Sequence, residues 1–440
     1  MNFGIGMGIV VGILILSLLM FIHELGHYLT GRLLKFKIIE FSLFMGPVLF
    51  SKKSKKTGIK YSVKLFPIGA SVRFQGEEGM GEEESDDPDS FLKKEKWKRA
   101  LVIVTGPVVN IFAGVLALFI LFGTLGFAST TVASTNPSSQ AAKAGIKESD
   151  RIVEINGSDI WTSIDYLLEL GFLKEDEPVF VKIIRPGTSD TIQVELIPEK
   201  QSTYRLGITI KLSEEDELWE VASVESTSNG GKPVLQAGDI ISEINGISTA
   251  DRDKASEQIS RSEGDSVTLN IIRNEKAIVL TSTPSLYEYY TDRGIIFKNV
   301  NSIGESIKES FKYSASIIKL TFKGISKIFS GEIAVQDGLA GPVGVVDLVG
   351  SVVNQDVPFI DKIADLLWMF ALISLNLGVF NLLPIPALDG SHLLLIGVEA
   401  IRGKRLSRKV ENKIVLAGFL FIIALAILGF IFDIMRIAGR

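Results

Sequence analysis

The chain alternates between long apolar runs and polar stretches, and four of the runs are long enough to cross a membrane. Residues 3–21, 101–128, 366–383 and 414–432 contain no charged side chain. A helix needs about 20 apolar residues to span a hydrocarbon core of about 30 Å. The first run has no basic segment before it and no small-residue cleavage pattern after it, so it predicts a retained membrane helix rather than a signal peptide. The pattern predicts four transmembrane helices.

The distribution of Lys and Arg beside these runs predicts their orientation. Residues 31–100 carry fifteen of these cations and residues 402–413 carry six, whereas the segment before the first run carries none. Short connections rich in Lys and Arg stay in the cytoplasm. We therefore expect a protein of the cytoplasmic (inner) membrane, with both termini and the region between the second and third helices outside the cytoplasm.

The region between the second and third helices contains an internal repeat. The pattern Asp-x-Ile-x-x-Ile-Asn-Gly begins at Asp150 and again at Asp239, and Val179–Arg185 recurs as Val267–Arg273. Alternating apolar residues and Asn-Gly turns are typical of strands and hairpins. We predict two tandem domains of one fold. Each contains a short helix, over residues 164–170 and 252–261.

The polar segments near the membrane helices have patterns of their own. Tyr61–Phe74 alternates like a β-hairpin, with a turn at residues 67–69. Gln75–Ser90 is rich in Glu, Asp and Gly, which predicts a solvated flexible loop without a binding site. Residues 314–329 form an amphipathic pattern with Lys319, Lys323 and Lys327 on one face. That helix is expected at the outer membrane surface or against the transmembrane bundle.

The predicted fold class is a multi-pass α-helical membrane protein with two tandem extracytoplasmic α+β domains and a small cytoplasmic, membrane-associated β-hairpin. The segments are first helix 1–30, cytoplasmic loop 31–100, second helix 101–127, first domain 128–202, second domain 203–285, linker with amphipathic helix 286–361, third helix 362–390, cytoplasmic loop 391–413 and fourth helix 414–435.

Composition limits the possible chemistry. The net charge of -5 argues against a nucleic-acid-binding protein, which needs clustered cations. The chain has no Cys, which excludes disulfides, thiol nucleophiles and thiolate zinc sites. Its three His are His23, His27 and His392. Any zinc site here must therefore use nitrogen and oxygen ligands.

Two of the three His form a His-Glu-x-x-His motif at the end of the first apolar run. His23 and His27 are four residues apart on a helix, so both rings project from one face and can share Zn2+. Glu24 can then act as a general base on water. The alternative interpretation is a set of polar side chains at the membrane interface, although a buried carboxylate beside two imidazoles is costly in hydrocarbon unless a metal compensates it.

A catalytic zinc site uses three protein ligands and an open position. Two prolines interrupt the end of the third apolar run, and Asp389 follows them in the break. Irregular backbone at this depth lines a cavity or is buried in protein. We predict Asp389 as the third ligand. His392 is the alternative ligand, although it also suits the polar start of a short helix over residues 393–400.

These motifs together resemble the site-2 protease family of intramembrane zinc metalloproteases, of the bacterial RseP type. The resemblance rests on His-Glu-x-x-His in the first helix, Asn-x-x-Pro-x-Pro-x-Leu-Asp-Gly over Asn381–Gly390, and repeats between them that look like PDZ domains. Segments 105–110 and 341–344 also look like family segments. The resemblance implies His23, His27 and Asp389 as zinc ligands, Glu24 as catalytic base, and Asn381, Pro384 and Pro386 as substrate-binding residues.

The resemblance also implies the substrates. They are single-span membrane proteins of the anti-sigma factor or remnant signal peptide type, cut within or near the transmembrane segment. The external position of the PDZ-like domains adds the hypothesis that another protease shortens these substrates first. The hairpin could capture an extended substrate by strand addition, or act only as a lid. The PDZ-like domains could exclude bulky ectodomains. Residues 206–208 are a candidate carboxylate-binding loop in the second domain. The expected partners are such substrates and the lipid bilayer, and no nucleic acid.

Two other functions are compatible with part of the sequence. One is a different membrane zinc peptidase with a downstream Glu ligand, which would not require the proline-interrupted third run. The other is a PDZ scaffold without catalysis, which would not require His-Glu-x-x-His in a bilayer. An ATP-driven protease is excluded because the chain has no Gly-x-x-x-x-Gly-Lys-Ser/Thr motif.

Overall fold

The computed structural model describes residues 3–77, 89–188, 190–212, 218–338, 341–355 and 357–438. The chain forms two compact units. The first, here called the membrane unit, comprises Met1–Thr130, Asp159–Leu170 and Phe297–Arg440. The second, here called the β-rich unit, comprises Thr131–Ser158 and Gly171–Ile296.

The helices and strands are numbered in chain order. The helices are α1 Phe3–Leu33, α2 Lys96–Leu125, α3 Gln140–Lys143, α4 Ser163–Gly171, α5 Ser228–Gly231, α6 Arg252–Ser260, α7 Ile303–Ser330, α8 Val335–Gly338, α9 Pro342–Asn354, α10 Phe359–Leu382, α11 Asp389–Arg402 and α12 Arg408–Ala438. The strands are β1 Ile38–Lys53, β2 Lys60–Phe74, β3 Phe127–Thr135, β4 Arg151–Ile155, β5 Ser158–Asp159, β6 Val179–Ile184, β7 Thr191–Leu196, β8 Lys200–Arg205, β9 Ile208–Leu212, β10 Trp219–Val224, β11 Ile240–Ile244, β12 Ile247–Ser248, β13 Val267–Arg273, β14 Lys276–Ser282, β15 Ser285–Tyr290 and β16 Ile295–Val300.

Four helices in the described residues are long and apolar enough to cross a membrane, which agrees with the four predicted from the apolar runs. The candidate spans are Met7–Leu33, Lys96–Leu125, Phe359–Leu382 and Lys409–Arg436. The second helix starts before the apolar run because its charged first turn is also helical. The third ends at Leu382, and Asp389 begins a separate helix.

Glycines allow α2 to approach its neighbours closely. A Cβ at Gly26 of α1 would stand 2.7 Å from the Thr105 carbonyl oxygen of α2, and one at Gly378 of α10 would stand 2.7 Å from the Pro107 carbonyl oxygen. Beyond these contacts, buried side chains such as Leu118 and Leu375 fill the space between the helices. Close backbone approach therefore brings α1 and α10 against the same part of α2.

The last membrane helix is held by a few contacts. Asp433 of α12 is buried, and its carboxylate accepts hydrogen bonds from the N–H groups of Gly341 (3.1 Å) and Gly344 (2.7 Å) at the start of α9. A Cβ at Gly418 of α12 would stand 2.1 Å from the Cβ of Pro386. A carboxylate at a helix N-terminus satisfies N–H groups that the helix itself leaves free.

Strands β1 and β2 form a small sheet that differs from the predicted hairpin. Residues 61–63 and 70–72 of β2 do not pair with each other; both pair with Phe41–Leu43 of β1, which lies between them. The sequence interpretation missed β1 because its partner segments lie far along the chain. Both strands bend, at Gly46 (φ 92°) and Gly69 (φ 84°), which lets each contribute two segments. Residues 70–74 therefore form an edge of the sheet.

The bends of this sheet carry exposed apolar side chains and approach α1. Met45, Phe50 and Phe66 are each more than half exposed. The Ser17 hydroxyl, in the middle of α1, donates a hydrogen bond of 2.5 Å to the Pro67 carbonyl oxygen. This contact places the bend beside the apolar part of a membrane helix, where exposed apolar side chains are favourable.

The amphipathic helix predicted over residues 314–329 is the second half of α7. Its apolar side, including Tyr313 and Ile317, lies in the same core cluster as α2 and α10. Its cationic side contacts residues of the segment 159–170: Lys319 pairs with Asp165 at 2.6 Å and Lys323 pairs with Glu169. In the membrane unit, α7 therefore packs against the helix bundle.

The β-rich unit contains the two sequence repeats, here called the first and second repeat. In the first, β6 lies between β4 and β7, and β5 pairs with β4. In the second, the strand order is β14-β13-β11-β10-β9, and β12 pairs with β11. The buried carboxylates of the repeated motif also match, because Asp150 pairs with Arg185 at 2.8 Å and Asp239 with Arg273 at 2.7 Å.

The chain returns to the first repeat after completing the second. The N–H of Asn136 donates to the Gly294 carbonyl oxygen (2.9 Å), as the N–H of Glu225 donates to the Gly207 carbonyl oxygen (2.9 Å) in the second repeat. Both glycines have positive φ, 62° and 68°. Residues 291–294, which the sequence interpretation assigned to a linker, thus occupy in the first repeat the position of residues 204–207 in the second.

Candidate active site

Three potential metal-binding side chains converge in the membrane unit. The Nε2 atoms of His23 and His27 are 3.1 Å apart, and the Asp389 Oδ2 atom lies 2.9 Å from the first and 3.5 Å from the second. In the described residues, these three side chains form the group of His and acidic residues that could hold a metal ion. Both imidazoles are buried.

The spacing of these atoms fits a zinc ion. Zinc bonds of about 2.0–2.1 Å at tetrahedral angles place neighbouring ligand atoms about 3.3 Å apart. The three distances scatter around this value, and the Asp389 Oδ2 atom is buried without a hydrogen-bond partner in the described part of the chain. A metal ion would satisfy this oxygen, and three ligands would leave the open position that catalysis requires.

The helix pair α1 and α2 fixes His27. Its Nδ1 atom lies 2.8 Å from the Val102 carbonyl oxygen of α2, so the Nδ1–H donates there and Nε2 stays free for a metal. Space for the ring comes from Gly106, because a Cβ at that position would stand 2.3 Å from His27 Nε2. Sequence reasoning singled out segment 105–110 only as a family-like segment and assigned no role to Gly106.

Two asparagines surround the other face of His23. The Nδ1 atom of His23 lies 3.3 Å from the Asn110 side-chain amide and 3.4 Å from that of Asn381. A metal on Nε2 requires a proton on Nδ1, which then donates to an amide oxygen. The Asn110 Oδ1 atom is buried and has no partner within the described ranges, so rotation of this amide supplies the acceptor. Asn110 was not predicted as a site residue.

Glu24 links the cluster to the edge of the sheet. Its Oε2 atom accepts a hydrogen bond of 2.8 Å from the backbone N–H of Val72, which belongs to the edge segment 70–74. Glu24 follows His23 on α1, so its carboxylate lies beside the imidazoles. The side chain predicted to act as base therefore contacts the part of the fold predicted to bind substrate.

A break between two helices positions Asp389. After α10 ends at Leu382, residues 383–388 form no regular element and Ala387 has a φ of 75°. Glycine is required at position 390 in the turn between α10 and α11, because a Cβ there would stand 2.1 Å from the Leu383 carbonyl oxygen. The chain thus turns sharply onto α11, whose first residue is Asp389.

The remaining predicted residues lie around this break. Pro384 is exposed, and Pro386 packs against Gly418 of α12. His392 is one turn further along α11 and lines the adjoining cavity, and it is not part of the three-residue cluster.

A cavity of about 250 Å³ adjoins Glu24, His27 and Asp389. Its wall includes an ionic pair between Arg99 and Glu399 at 2.7 Å. Glu77 also lines it, although the sequence interpretation placed this residue in a solvated loop. Burial raises the pKa of Glu77 to about 7, against the opposing effect of a hydrogen bond from the Phe74 N–H.

Comparison with known proteins identifies similar sequences over nearly the whole chain. The model of peptidase family M50 matches residues 11–425. The regulator of sigma E protease of Haemophilus influenzae is 27% identical over 456 residues, which cover 97% of this chain and 98% of the relative. Proteins named as zinc metalloproteases from Agrobacterium fabrum (28% over 439 residues, 97% and 95% covered) and Thermotoga maritima (29% over 525 residues, 98% and 100% covered) are similar to the same extent.

The family match covers well over half of the chain. Members of this family are zinc-dependent proteases of the inner membrane, which agrees with the four apolar helices. The chain therefore belongs to peptidase family M50, the site-2 proteases, and is a zinc metalloendopeptidase.

Proposed function

We propose that this enzyme cleaves single-span membrane proteins, of the anti-sigma factor or remnant signal peptide type, within or near the transmembrane segment, in regulated intramembrane proteolysis. The observation that carries the proposal is the location of the His23–His27–Asp389 cluster. Its two histidines lie on a helix long and apolar enough to cross a membrane, Asp389 begins helix α11, and the cluster adjoins a cavity that can hold water.

We assign His23, His27 and Asp389 as the zinc ligands and Glu24 as the general base. When bound, Zn2+ supplies Lewis-acid chemistry that acidifies water and polarises the scissile carbonyl. The Glu24 carboxylate takes a proton from the water, whose oxygen adds to the carbonyl carbon. Glu24 then delivers this proton to the departing nitrogen as the C–N bond breaks.

Substrate binding is proposed on two sides of the cluster. A helical substrate has its carbonyls hydrogen-bonded internally and must become extended before cleavage. The edge segment 70–74 can pair with an extended segment by strand addition. On the other side, Asn381 and the irregular segment that contains Pro384 and Pro386 offer polar groups to the same segment.

We propose that the β-rich unit and both termini are extracytoplasmic, because the connections 31–100 and 402–413 hold fifteen and six Lys and Arg. We also propose that the two repeats are PDZ-like domains. In the second repeat, a cavity of about 830 Å³ lies between the edge strand β9 and helix α6, and Leu206, Ile208 and Trp219 line it. Residues 206–208 remain our candidate carboxylate-binding loop.

The repeats are proposed to exclude substrates with bulky ectodomains. We expect the purified enzyme to cleave a single-span substrate whose ectodomain has been shortened, and to leave the full-length substrate uncut. Both substrates are incubated with the enzyme and the products are followed by mass spectrometry. Equal cleavage of the two would contradict the exclusion role without affecting the assigned chemistry.

The assigned chemistry is tested with Glu24→Gln. This substitution removes the general base and keeps all three proposed ligands, so proteolysis should fall by at least about 100-fold while zinc content is retained. Membranes of cells that carry this variant should accumulate single-span fragments, which proteomics can identify. A variant that cleaves near the wild-type rate would refute the role of Glu24.

A further inference from the structure

The edge segment 70–74 presents two N–H groups on its outer side. The N–H groups of Val72 and Phe74 are two residues apart, and neither donates to β1. Alternate N–H groups of an edge strand point to the same side, which is the side where an added strand would pair. In the described ranges, residues 70–74 pair only with β1.

Carboxylates occupy both of these N–H groups. The Glu24 Oε2 atom accepts from Val72 at 2.8 Å, and the Glu77 Oε2 atom accepts from Phe74 at 3.0 Å. Backbone carbonyl oxygens of an added strand would have to bind at these two positions. The edge is therefore already filled where a substrate strand would pair.

Glu77 lies in the wall of the cavity and is partly exposed. It lines the same cavity as Glu24, His27 and Asp389. A carboxylate that is partly withdrawn from water favours compensating hydrogen bonds, and the Phe74 N–H supplies one to Glu77. Glu24 and Glu77 bind N–H groups two residues apart on this edge, so both carboxylates compete with the carbonyl oxygens of an incoming substrate backbone.

We propose that Glu77 is a placeholder for the substrate: it caps the outer N–H of Phe74 in the free enzyme and is displaced when an extended substrate adds to this edge. This inference rests on the proposed strand addition. Displacement of Glu77 breaks its hydrogen bond with the Phe74 N–H, and this cost lowers the apparent affinity for every substrate. Only a substrate whose backbone carbonyl binds the Phe74 N–H replaces that hydrogen bond. Glu77 thereby favours substrates that are extended beyond the scissile bond.

Kinetics of Glu77→Ala and Glu77→Gln test the proposal on detergent-solubilised enzyme with zinc. For a substrate long enough to reach Phe74, we expect Glu77→Ala to lower KM about 5-fold at unchanged kcat and zinc content. Glu77→Gln should lower KM less, since its neutral amide oxygen can still accept from Phe74. Asp89→Ala is the control, because Asp89 lies on the same connection, is exposed and pairs with Lys94.

Substrate length and cross-linking separate the possible outcomes. Truncation of the substrate on the side of the scissile bond that reaches Phe74 should remove the effect of Glu77→Ala on KM. The chain has no Cys, so Arg73→Cys provides a unique thiol on this edge for disulfide cross-linking to a single-Cys substrate. We expect more cross-linked product when Glu77 is replaced by Ala.

Each other result contradicts one specific step. If no cross-link forms in either background, strand addition at this edge is wrong. If cross-links form equally in both backgrounds, the edge binds substrate but Glu77 is not a placeholder. A raised KM would make Glu77 a substrate contact, and a changed kcat or zinc content would make it a support of the metal site; both results overturn the proposal.

Discussion

A glycine opposite the two histidines provides the space in which the cluster forms. Gly106 lies on α2 where His23 and His27 face it, and its missing side chain provides the room for both rings. The sequence motif predicts which residues could bind metal, but it does not indicate what allows them to come close together. Here the answer is a glycine about 80 residues away along the chain.

Gly106→Ala should therefore abolish zinc binding. The added Cβ would stand 2.3 Å from His27 Nε2, so the ring or the helix must move. Zinc content of the purified variant, measured by atomic emission, should fall to a small fraction of the wild-type value, and proteolysis should fall with it. Gly123→Ala on the same helix is the matched control, because among the described residues nothing outside its own helical turn lies within 4 Å of the added Cβ. If Gly106→Ala keeps full zinc content, the assigned geometry of the cluster is wrong.

Local spacing made some of these residues predictable. Helical periodicity alone brings His23 and His27 to one face of a helix. The prolines before Asp389 predict a break at the end of the third apolar run. Asn110 and Glu77 had no such signal. Asn110 is one polar residue in an apolar helix, and Glu77 belongs to an acidic stretch whose composition indicates a solvated loop. The position of Glu77 in the wall of the cavity depends on tertiary contacts, which no local sequence pattern indicates.

At the scale of elements, each of the two repeats has an ion pair between a buried Asp and a partly exposed Arg. Burial alone would raise the pKa of Asp239, but hydrogen bonds from Arg273 and the Gln236 N–H, with the Arg273 charge, hold that pKa below its usual range. The pKa of Asp150 is lowered in the same way by Arg185. A lowered carboxyl pKa stabilises the folded state above the unfolded pKa of about 3.9, and this stability is lost as the pH falls through the folded value.

Arg273→Met should therefore destabilise the second repeat at neutral pH. It leaves the Asp239 carboxylate buried without its charge partner, which costs about 3–5 kcal/mol. Hydrogen exchange of β11 and β13 in the full-length protein should become faster at pH 7. The difference from wild type should start to shrink below about pH 4, where the unfolded carboxyl binds a proton, and should vanish as the pH falls through the lower pKa of folded Asp239. Arg261→Met, which removes an exposed pair with Glu257, should change exchange little. Equal effects of the two substitutions would contradict the importance of burial.

The sheet next to the cluster was only partly predictable for a similar reason. The alternation over residues 61–74 correctly indicated strand, because period two is a local property. Pairing is not local: Phe41–Leu43 enters between the two halves of β2, and no pattern within residues 61–74 indicates this. The edge that contacts Glu24 depends on this non-local pairing with β1.

At the scale of the whole molecule, hydropathy predicted the four apolar helices, and the internal repeat predicted two similar β-rich parts. The first of these two parts is not built from one continuous segment of the chain. The first repeat receives residues 291–294, which come after the second repeat in sequence. Repeated sequence motifs mark the similar strands, but they do not show which distant loop completes each copy.

This return of the chain has a consequence for the order of folding during synthesis. The second repeat closes when β15 pairs with β8, from Ser285↔Arg205 to Tyr290↔Lys200. The first repeat starts about 70 residues earlier but still lacks its Gly294 contact with Asn136 at that moment. The second repeat is therefore expected to be complete before the first, which still requires the synthesis of residues 291–294.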